Sequence, residues 1–307
     1  MMIGCFPFRS RNNVWRQQKQ KGGGHMASLV SHEWLLRHLH DENTRILDCR
    51  FWLGDPAKGA AVYQEDHIPG AVYMDLERDL SGPVGEHGGR HPLPSAEQAA
   101  DVFGRVGIDE TVTVVAYDDQ DGAMAARCWW LLRYFGHAHA YVLDGNYREW
   151  KKKGHPVTNV VPAVASRPFR PRPDRSWLAT VEDVRAAVRD RSAVLIDSRE
   201  WKRYAGLEEP IDRRAGRIPG AVHRFWKDGM TEGGYWKSAV EQAARFADFD
   251  RGQPLIVYCG SGVTACPNVL ALHEAGYHNV RLYVGSFSDW ISYPDNPIET
   301  GDPSSDA

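Results

Sequence analysis

Leu255-Ile256-Val257-Tyr258-Cys259-Gly260-Ser261-Gly262-Val263-Thr264-Ala265-Cys266-Pro267 starts as an apolar, β-branched run, reaches a cysteine and two glycines in a short loop, and passes into a helical pattern. The order reads as strand, loop, helix. Pro267 has no N–H and is accommodated only in a first helical turn, which predicts a helix start between Thr264 and Cys266. Cys259 then precedes a helix N-terminus, where free amide N–H groups and the helix dipole favour an anion such as a thiolate. A lone cysteine at a strand end is more often a buried structural thiol. The flanking glycines and the strand-to-helix setting favour the reactive reading here.

Outward from this loop, the same series of segments occurs twice. Asp197-Ser198-Arg199, after the strand Ala193-Val194-Leu195-Ile196, matches Asp48-Cys49-Arg50 after Arg45-Ile46-Leu47. Arg217-Ile218-Pro219-Gly220-Ala221-Val222 matches His67-Ile68-Pro69-Gly70-Ala71-Val72, Pro254 to Tyr258 matches Val112 to Tyr117, and Val284 to Trp290 matches Asp144 to Trp150. The offset, roughly 140 to 150 residues, is a domain length, so the chain is an internal duplication. Helical patterns alternate with these strands, as at Trp34 to Leu39 and Arg127 to Phe135, and Ser95 to Gln98 and Thr180 to Asp183 read as capping boxes. The stretch after Arg50 reads as a polar loop. The fold class is α/β, each domain a mostly parallel sheet with helices on both faces. Prolines crowd residues 155–176, which read as a linker between domains over 29–154 and 177–307. Where the second copy has Cys259, the first has Asp118 in an acidic loop. The N-terminal domain therefore reads as non-catalytic, with the chemistry placed once, near the cleft between the domains.

Composition narrows the class further. A net charge of -3 over 307 residues gives no reason to expect a nucleic-acid partner, and no run of eighteen apolar residues suggests a membrane span. Five cysteines without paired spacing do not form a disulfide framework and fit a reducing cytoplasm. No Cys/His cluster has metal-ligand spacing, and Gly260-Ser261-Gly262 is too short for a dinucleotide fingerprint, so neither metal nor organic cofactor is expected. Residues 1–28 carry Arg9, Arg11, Arg16, Lys19 and Lys21 without an acidic residue or an apolar secretory core, and read as a leader or tag outside the fold.

With the Cys259 loop, the paired Asp-x-Arg segments and the two Ile-Pro-Gly-Ala-Val turns in view, the chain resembles tandem-domain rhodanese-like sulfurtransferases over residues 29–299. Its neutral Gly260-Ser261-Gly262 centre is similar to the 3-mercaptopyruvate branch, whereas the thiosulfate branch usually has basic residues at the second and third loop positions. The resemblance implies two rhodanese-like α/β domains and a two-step reaction in which Cys259 takes a sulfur atom as a persulfide. The amides of Gly260, Ser261, Gly262, Val263 and Thr264 would surround the terminal anion. An acceptor such as cyanide, a thiol or reduced thioredoxin would then remove the sulfur.

The resemblance further implies a Ser-His-acid arrangement of Ser261, His91 and Glu77, with Asp75 as the neighbouring alternative for the acid. It assigns Arg203 to the carboxylate of a 2-oxo acid donor. The branch has a second arginine directly after its Glu-Pro pair. Here the run is Glu209-Pro210-Ile211-Asp212-Arg213-Arg214, so Arg213 or Arg214 is expected to reach the site from a shifted position. Cys266 is expected to pack against the sheet, and Asp48 and Asp197 to be structural. A monomer acting on small-molecule donors and acceptors is expected. Two alternatives keep the same nucleophile: thiosulfate as donor, and a persulfide carrier without turnover. A cysteine phosphatase is disfavoured, because Ala265 stands where such a loop needs arginine and none lies between Cys259 and Arg281.

Overall fold

Residues 27–301 are described by a computed structural model; residues 1–26, most of the expected leader, lie outside the described residues. The apolar runs form strands β1 (Leu29–Val30), β2 (Thr44–Asp48), β3 (Ala71–Tyr73), β4 (Thr113–Tyr117) and β5 (Ala140–Leu143), then β6 (Leu178–Ala179), β7 (Val194–Asp197), β8 (Val222–His223), β9 (Leu255–Tyr258) and β10 (Val280–Tyr283). Every pairing between them is parallel, in the orders β1-β5-β4-β2-β3 and β6-β10-β9-β7-β8. The identical order in the two sheets is the duplication seen in three dimensions. The helices are α1 (His32–His38), α2 (Pro56–Glu65), α3 (Ala96–Arg105), α4 (Ala123–Tyr134), α5 (Tyr147–Lys152), α6 (Val181–Asp190), α7 (Trp201–Tyr204), α8 (Ala239–Arg245), α9 (Cys266–Glu274) and α10 (Ser286–Trp290). No helix among the described residues is long and apolar enough to cross a membrane.

Strand alternation sorts each sheet's side chains onto two faces. Ile46, Val115 and Tyr141 join one cluster, while Leu47, Val114, Ala116 and Val142 join another that continues through Leu255, Val257 and Leu282 of the second domain. The inner faces of the two sheets thus share one core, bridged by α4 packed on α9. Ten of the twelve α4 residues are buried, as expected of a helix that is apolar nearly all round. Helix α2 falls where a polar loop was expected. It buries only Gly59 and Tyr63, too thin a stripe to show as a helical period. The capping box at Thr180 and Asp183 is complete. That at Ser95 is half made: Ser95 Oγ accepts from the Gln98 amide, but the Gln98 side chain turns to the Ser81 carbonyl at 2.7 Å.

Asp48 and Asp197 are structural, as expected. Each is fully buried at a strand end and holds the arginine two residues on, Arg50 at 2.7 Å and Arg199 at 2.6 Å. A third buried carboxylate marks the loop equivalent to that of Cys259. Asp118 Oδ1 accepts from the amides of Gln120 (2.8 Å) and Gly122 (2.9 Å), and Oδ2 from those of Met124 (2.8 Å) and Ala125 (2.9 Å). The loop between β4 and α4 is therefore closed around its own anion. Asp118→Ala leaves four amides without an acceptor and should lower stability by about 3 kcal/mol or more. Chemical denaturation measures this, and a loss below about 0.5 kcal/mol would show that the amides do not depend on the carboxylate.

Candidate active site

The Cys259 loop is shaped by two glycines that do different things. Gly262 has φ +76°, and a Cβ there would lie 2.1 Å from the Val284 carbonyl oxygen, so only glycine allows this close approach. At Gly260 a Cβ would lie 2.8 Å from Arg90 Nη2 and 3.3 Å from Arg203 Nη2, so its absence lets two guanidinium groups come over the loop. Helix α9 begins at Cys266 with Pro267 in its first turn, as the sequence predicts. The Gly262 amide donates to Cys259 Sγ at 3.2 Å. The amides of Gly260, Ser261, Val263, Thr264 and Ala265 have no acceptor among the described residues.

Helix α10 fixes the loop from the side. The amides of Phe287 and Ser288 donate to the carbonyls of Cys259 (3.0 Å) and Gly260 (2.9 Å), and Ser286 Oγ accepts from the Cys259 amide at 3.1 Å. The same short helix receives the N-terminal domain. Asp289 Oδ1 accepts from the Gly88 amide at 2.7 Å, Ser288 Oγ accepts from the Arg90 amide at 3.2 Å, and the His87 ring stacks on Tyr293. Residues 87–91 are thereby laid across the loop, and His91 Nδ1 comes within 2.8 Å of Ser261 Oγ. His91 is buried, and burial, reinforced by the charges of Arg127 and Arg90, pushes its imidazole down to about 4. The ring is neutral at physiological pH.

Two expected neighbours are elsewhere. Glu77 is exposed, and its side chain makes no hydrogen bond or ion pair among the described residues. The segment turns it outward because Asp75 Oδ1 accepts from the Glu77 and Arg78 amides, both at 2.9 Å. That local turn, together with the Tyr73 hydroxyl at 3.3 Å, also occupies Asp75. Among the described residues, the Ser261–His91 pair thus forms without a carboxylate hydrogen-bonded to the imidazole. Arg213 and its alternative Arg214 are likewise exposed, and Arg213 donates to the Ile291 carbonyl at 2.8 Å. The position over the loop that it was expected to fill is taken by Arg90.

Arg203 stands over Gly260, held by Glu209 at 2.8 Å and Asp212 at 2.9 Å. Asp212 also pairs with Arg90 across the domains, so one buried carboxylate is shared by both guanidinium groups. Arg90 was overlooked in the sequence although it directly precedes His91; a cation beside a candidate imidazole was the available signal. Arg127 was passed over too. It is the first charge in the apolar helix α4 and is fully buried, with Nη1 3.3 Å from the Gly262 carbonyl oxygen. Cys266 is buried as expected and donates to the same carbonyl oxygen at 3.3 Å; burial pushes its thiol up to about 12. The arrangement can hold an anion on Cys259, move a proton through Ser261 and His91, and bind a negatively charged small molecule beside Gly260.

The chain is similar to known proteins over nearly its whole length. A sequence model described as a Rhodanese-like domain matches residues 31–153 and 180–293. A Pseudomonas aeruginosa protein named "Probable 3-mercaptopyruvate sulfurtransferase" is 43% identical over 281 residues, spanning 90% of this chain and 99% of that one. A thiosulfate sulfurtransferase of Cricetulus griseus is 38% identical over 284 residues, spanning 86% of this chain and 92% of that one. The crystal structure of an Escherichia coli 3-mercaptopyruvate sulfotransferase matches with a TM-score of 0.75 at 30% identity, covering 86% of this chain and all of that one.

Burial of a neutral imidazole links stability to pH. Unfolded, His91 takes its proton near the ordinary 6.5; folded, it refuses one until about 4, and His137 behaves alike. Between these values the unfolded chain binds more protons, so stability falls as pH falls, by at most about 1.4 kcal/mol per pH unit per histidine. Melting temperatures taken from pH 7 to pH 5 should drop less steeply in His91→Gln than in the unaltered chain. Parallel slopes would mean that folded His91 takes its proton at the same pH as it does in the unfolded chain.

Proposed function

The chain belongs to the rhodanese-like family of sulfurtransferases, and from that premise we propose that it moves sulfur from 3-mercaptopyruvate to a thiophilic acceptor through a persulfide on Cys259. One observation supports the nucleophile: the Gly262 amide donates to Cys259 Sγ, and five further amides of the same loop have no acceptor among the described residues, a surplus of donors that suits an anion on this side chain. In the first copy the equivalent loop meets the same need with the Asp118 carboxylate.

In the first half-reaction the Cys259 thiolate attacks the donor sulfur, and the S–S bond forms as the donor C–S bond breaks. The electron pair goes to carbon as the enolate of pyruvate, and the proton that the donor thiol carried ends on that carbon. The product is pyruvate and Cys259-S-S⁻. Ser261 and His91 are suited to handling the proton, because a neutral imidazole at 2.8 Å can accept from the serine hydroxyl. Arg203 and Arg90 offer planar forks to the donor carboxylate. In the second half-reaction cyanide, a small thiol or reduced thioredoxin attacks the terminal sulfur, and the S–S bond breaks to return the thiolate. One copy of the chain holds both the loop and the residues that cover it, which suits a monomer. The described cysteines Cys49, Cys128, Cys259 and Cys266 are free, which suits a reducing cytoplasm.

Thiosulfate is the second reading. It is favoured by the 38% identity to the thiosulfate sulfurtransferase of Cricetulus griseus.

Steady-state turnover with cyanide separates the donors. kcat/KM should be higher for 3-mercaptopyruvate than for thiosulfate, and Cys259→Ser should abolish both. Ser261→Ala should lower the mercaptopyruvate value by roughly 100-fold, the size of a general acid–base contribution, with little loss for thiosulfate. A preference for thiosulfate, or equal losses in Ser261→Ala, would remove mercaptopyruvate as the donor. Turnover of neither donor would leave a persulfide carrier. Asp212→Asn frees Arg90 while Glu209 still holds Arg203, so KM for mercaptopyruvate should fall several-fold; a rise would mean that Asp212 orients the arginines instead of competing for them.

A further inference from the structure

Arg127 carries a full charge into a buried position and meets no carboxylate among the described residues. Its Nη2 donates to the carbonyls of Leu80 (3.3 Å), His91 (3.2 Å) and Pro92 (3.3 Å), and its Nη1 to that of Gly262 (3.3 Å). Its Nε is buried without any partner, and it forms no ion pair among the described residues. Neutral carbonyls satisfy N–H groups but do not offset a buried charge, which is strongly destabilising unless an anion completes it. Burial pulls the guanidinium below its ordinary range, and the nearby thiols of Cys266 and Cys259 act in the opposite direction.

Among the described residues beside the Cys259 loop, the other cations are paired and Arg127 is not. Arg90 and Arg203, over Gly260, are paired with Asp212 and Glu209. His91 is neutral, and Cys266, behind the loop, donates its proton to the Gly262 carbonyl. Gly262 links the remaining two partners, since its amide donates to Cys259 Sγ while its carbonyl accepts from Arg127. The duplication supplies a control. Helix α9, the counterpart of α4, contains no arginine or lysine, and the loop before α4 already contains its own carboxylate. The chain buries an unpaired cation on the side of the thiol loop.

We propose that Arg127, delivered by the domain that lacks a nucleophile, is the positioning residue that supplies the counter-charge for the anionic forms of Cys259. The thiolate and the persulfide would complete a guanidinium that is otherwise uncompensated. The proposal rests on Cys259 being the nucleophile, but its test needs no sulfur donor, so the two can fail separately.

The measurement is the rate of Cys259 alkylation by iodoacetamide in the full-length chain, followed on the loop peptide by mass spectrometry across pH. The alkylation rate of Arg127→Met at pH 6 should be at least tenfold below that of the unaltered chain, with the two rates converging at high pH. Arg127→Lys, which keeps the charge, should restore most of the low-pH rate. Arg127→Gln keeps donors toward the carbonyls without the charge and should behave like Arg127→Met. A folded neutral variant with an unchanged alkylation profile would overturn the proposal, whatever its turnover. If neither neutral variant folds, Arg127→Lys decides: a low-pH rate close to that of the unaltered chain supports the counter-charge, and a tenfold loss in a folded protein overturns it.

Discussion

Backbone amides that converge inside a closed loop must find an acceptor, and that requirement organises both halves of this chain. A strand running directly into a helix leaves the first-turn amides without intrahelical partners. In the first domain the demand is met permanently, by four bonds to the Asp118 carboxylate. In the second domain a thiol stands in that place, and only the Gly262 amide reaches it. The difference is one of timing. A fixed carboxylate keeps its loop closed, whereas a cysteine offers the matching negative charge only when it ionises. The same backbone geometry therefore serves as a structural anchor in one copy and as a candidate reactive loop in the other.

The thiol loop is assembled by both domains, so the copy that has Asp118 in place of the thiol also contributes side chains to the candidate site. The inner faces of the two sheets share a core through α4 and α9, so the domains are joined by apolar packing as well as by the linker. Upon that core, α10 holds the Cys259 and Gly260 carbonyls with its amides and also receives residues 87–91. One five-residue helix thus sets the distance between Ser261 and His91. Helix α4 brings Arg127 up behind the loop, and Arg90 arrives in front of it. The N-terminal domain contributes the imidazole and two of the three guanidinium groups next to the Cys259 loop.

Short-range regularities made much of this legible. The strand-loop-helix reading at Cys259, the helix start beside Pro267 and the repeated Asp-x-Arg ends depend on residues within one or two turns of each other, the duplication shows as the recurrence of such local series at a domain-length offset, and the structure has them all. Where a local signal was thin or diverted, the reading missed. Helix α2 buries too narrow a stripe to show its period. Gln98 bonds to Ser81 instead of completing its box.

The site shows where such reading ends. His91 and Ser261 lie 170 positions apart, and only resemblance to a family put them together before the structure did. Glu77 was expected beside His91, but the turn made by Asp75 faces it to solvent. Arg213 was expected over the loop, but the Asp212 carboxylate pairs with Arg90 and Arg203 while Arg213 turns to Ile291. By itself the sequence determined the class of fold, its duplication and the cysteine loop, because periodicity, proline and glycine act on their immediate neighbours. Which charges surround that loop was decided only by tertiary structure. Electrostatic partners are chosen by distance in space and by burial, and the packing of α4, α10 and residues 87–91 sets both.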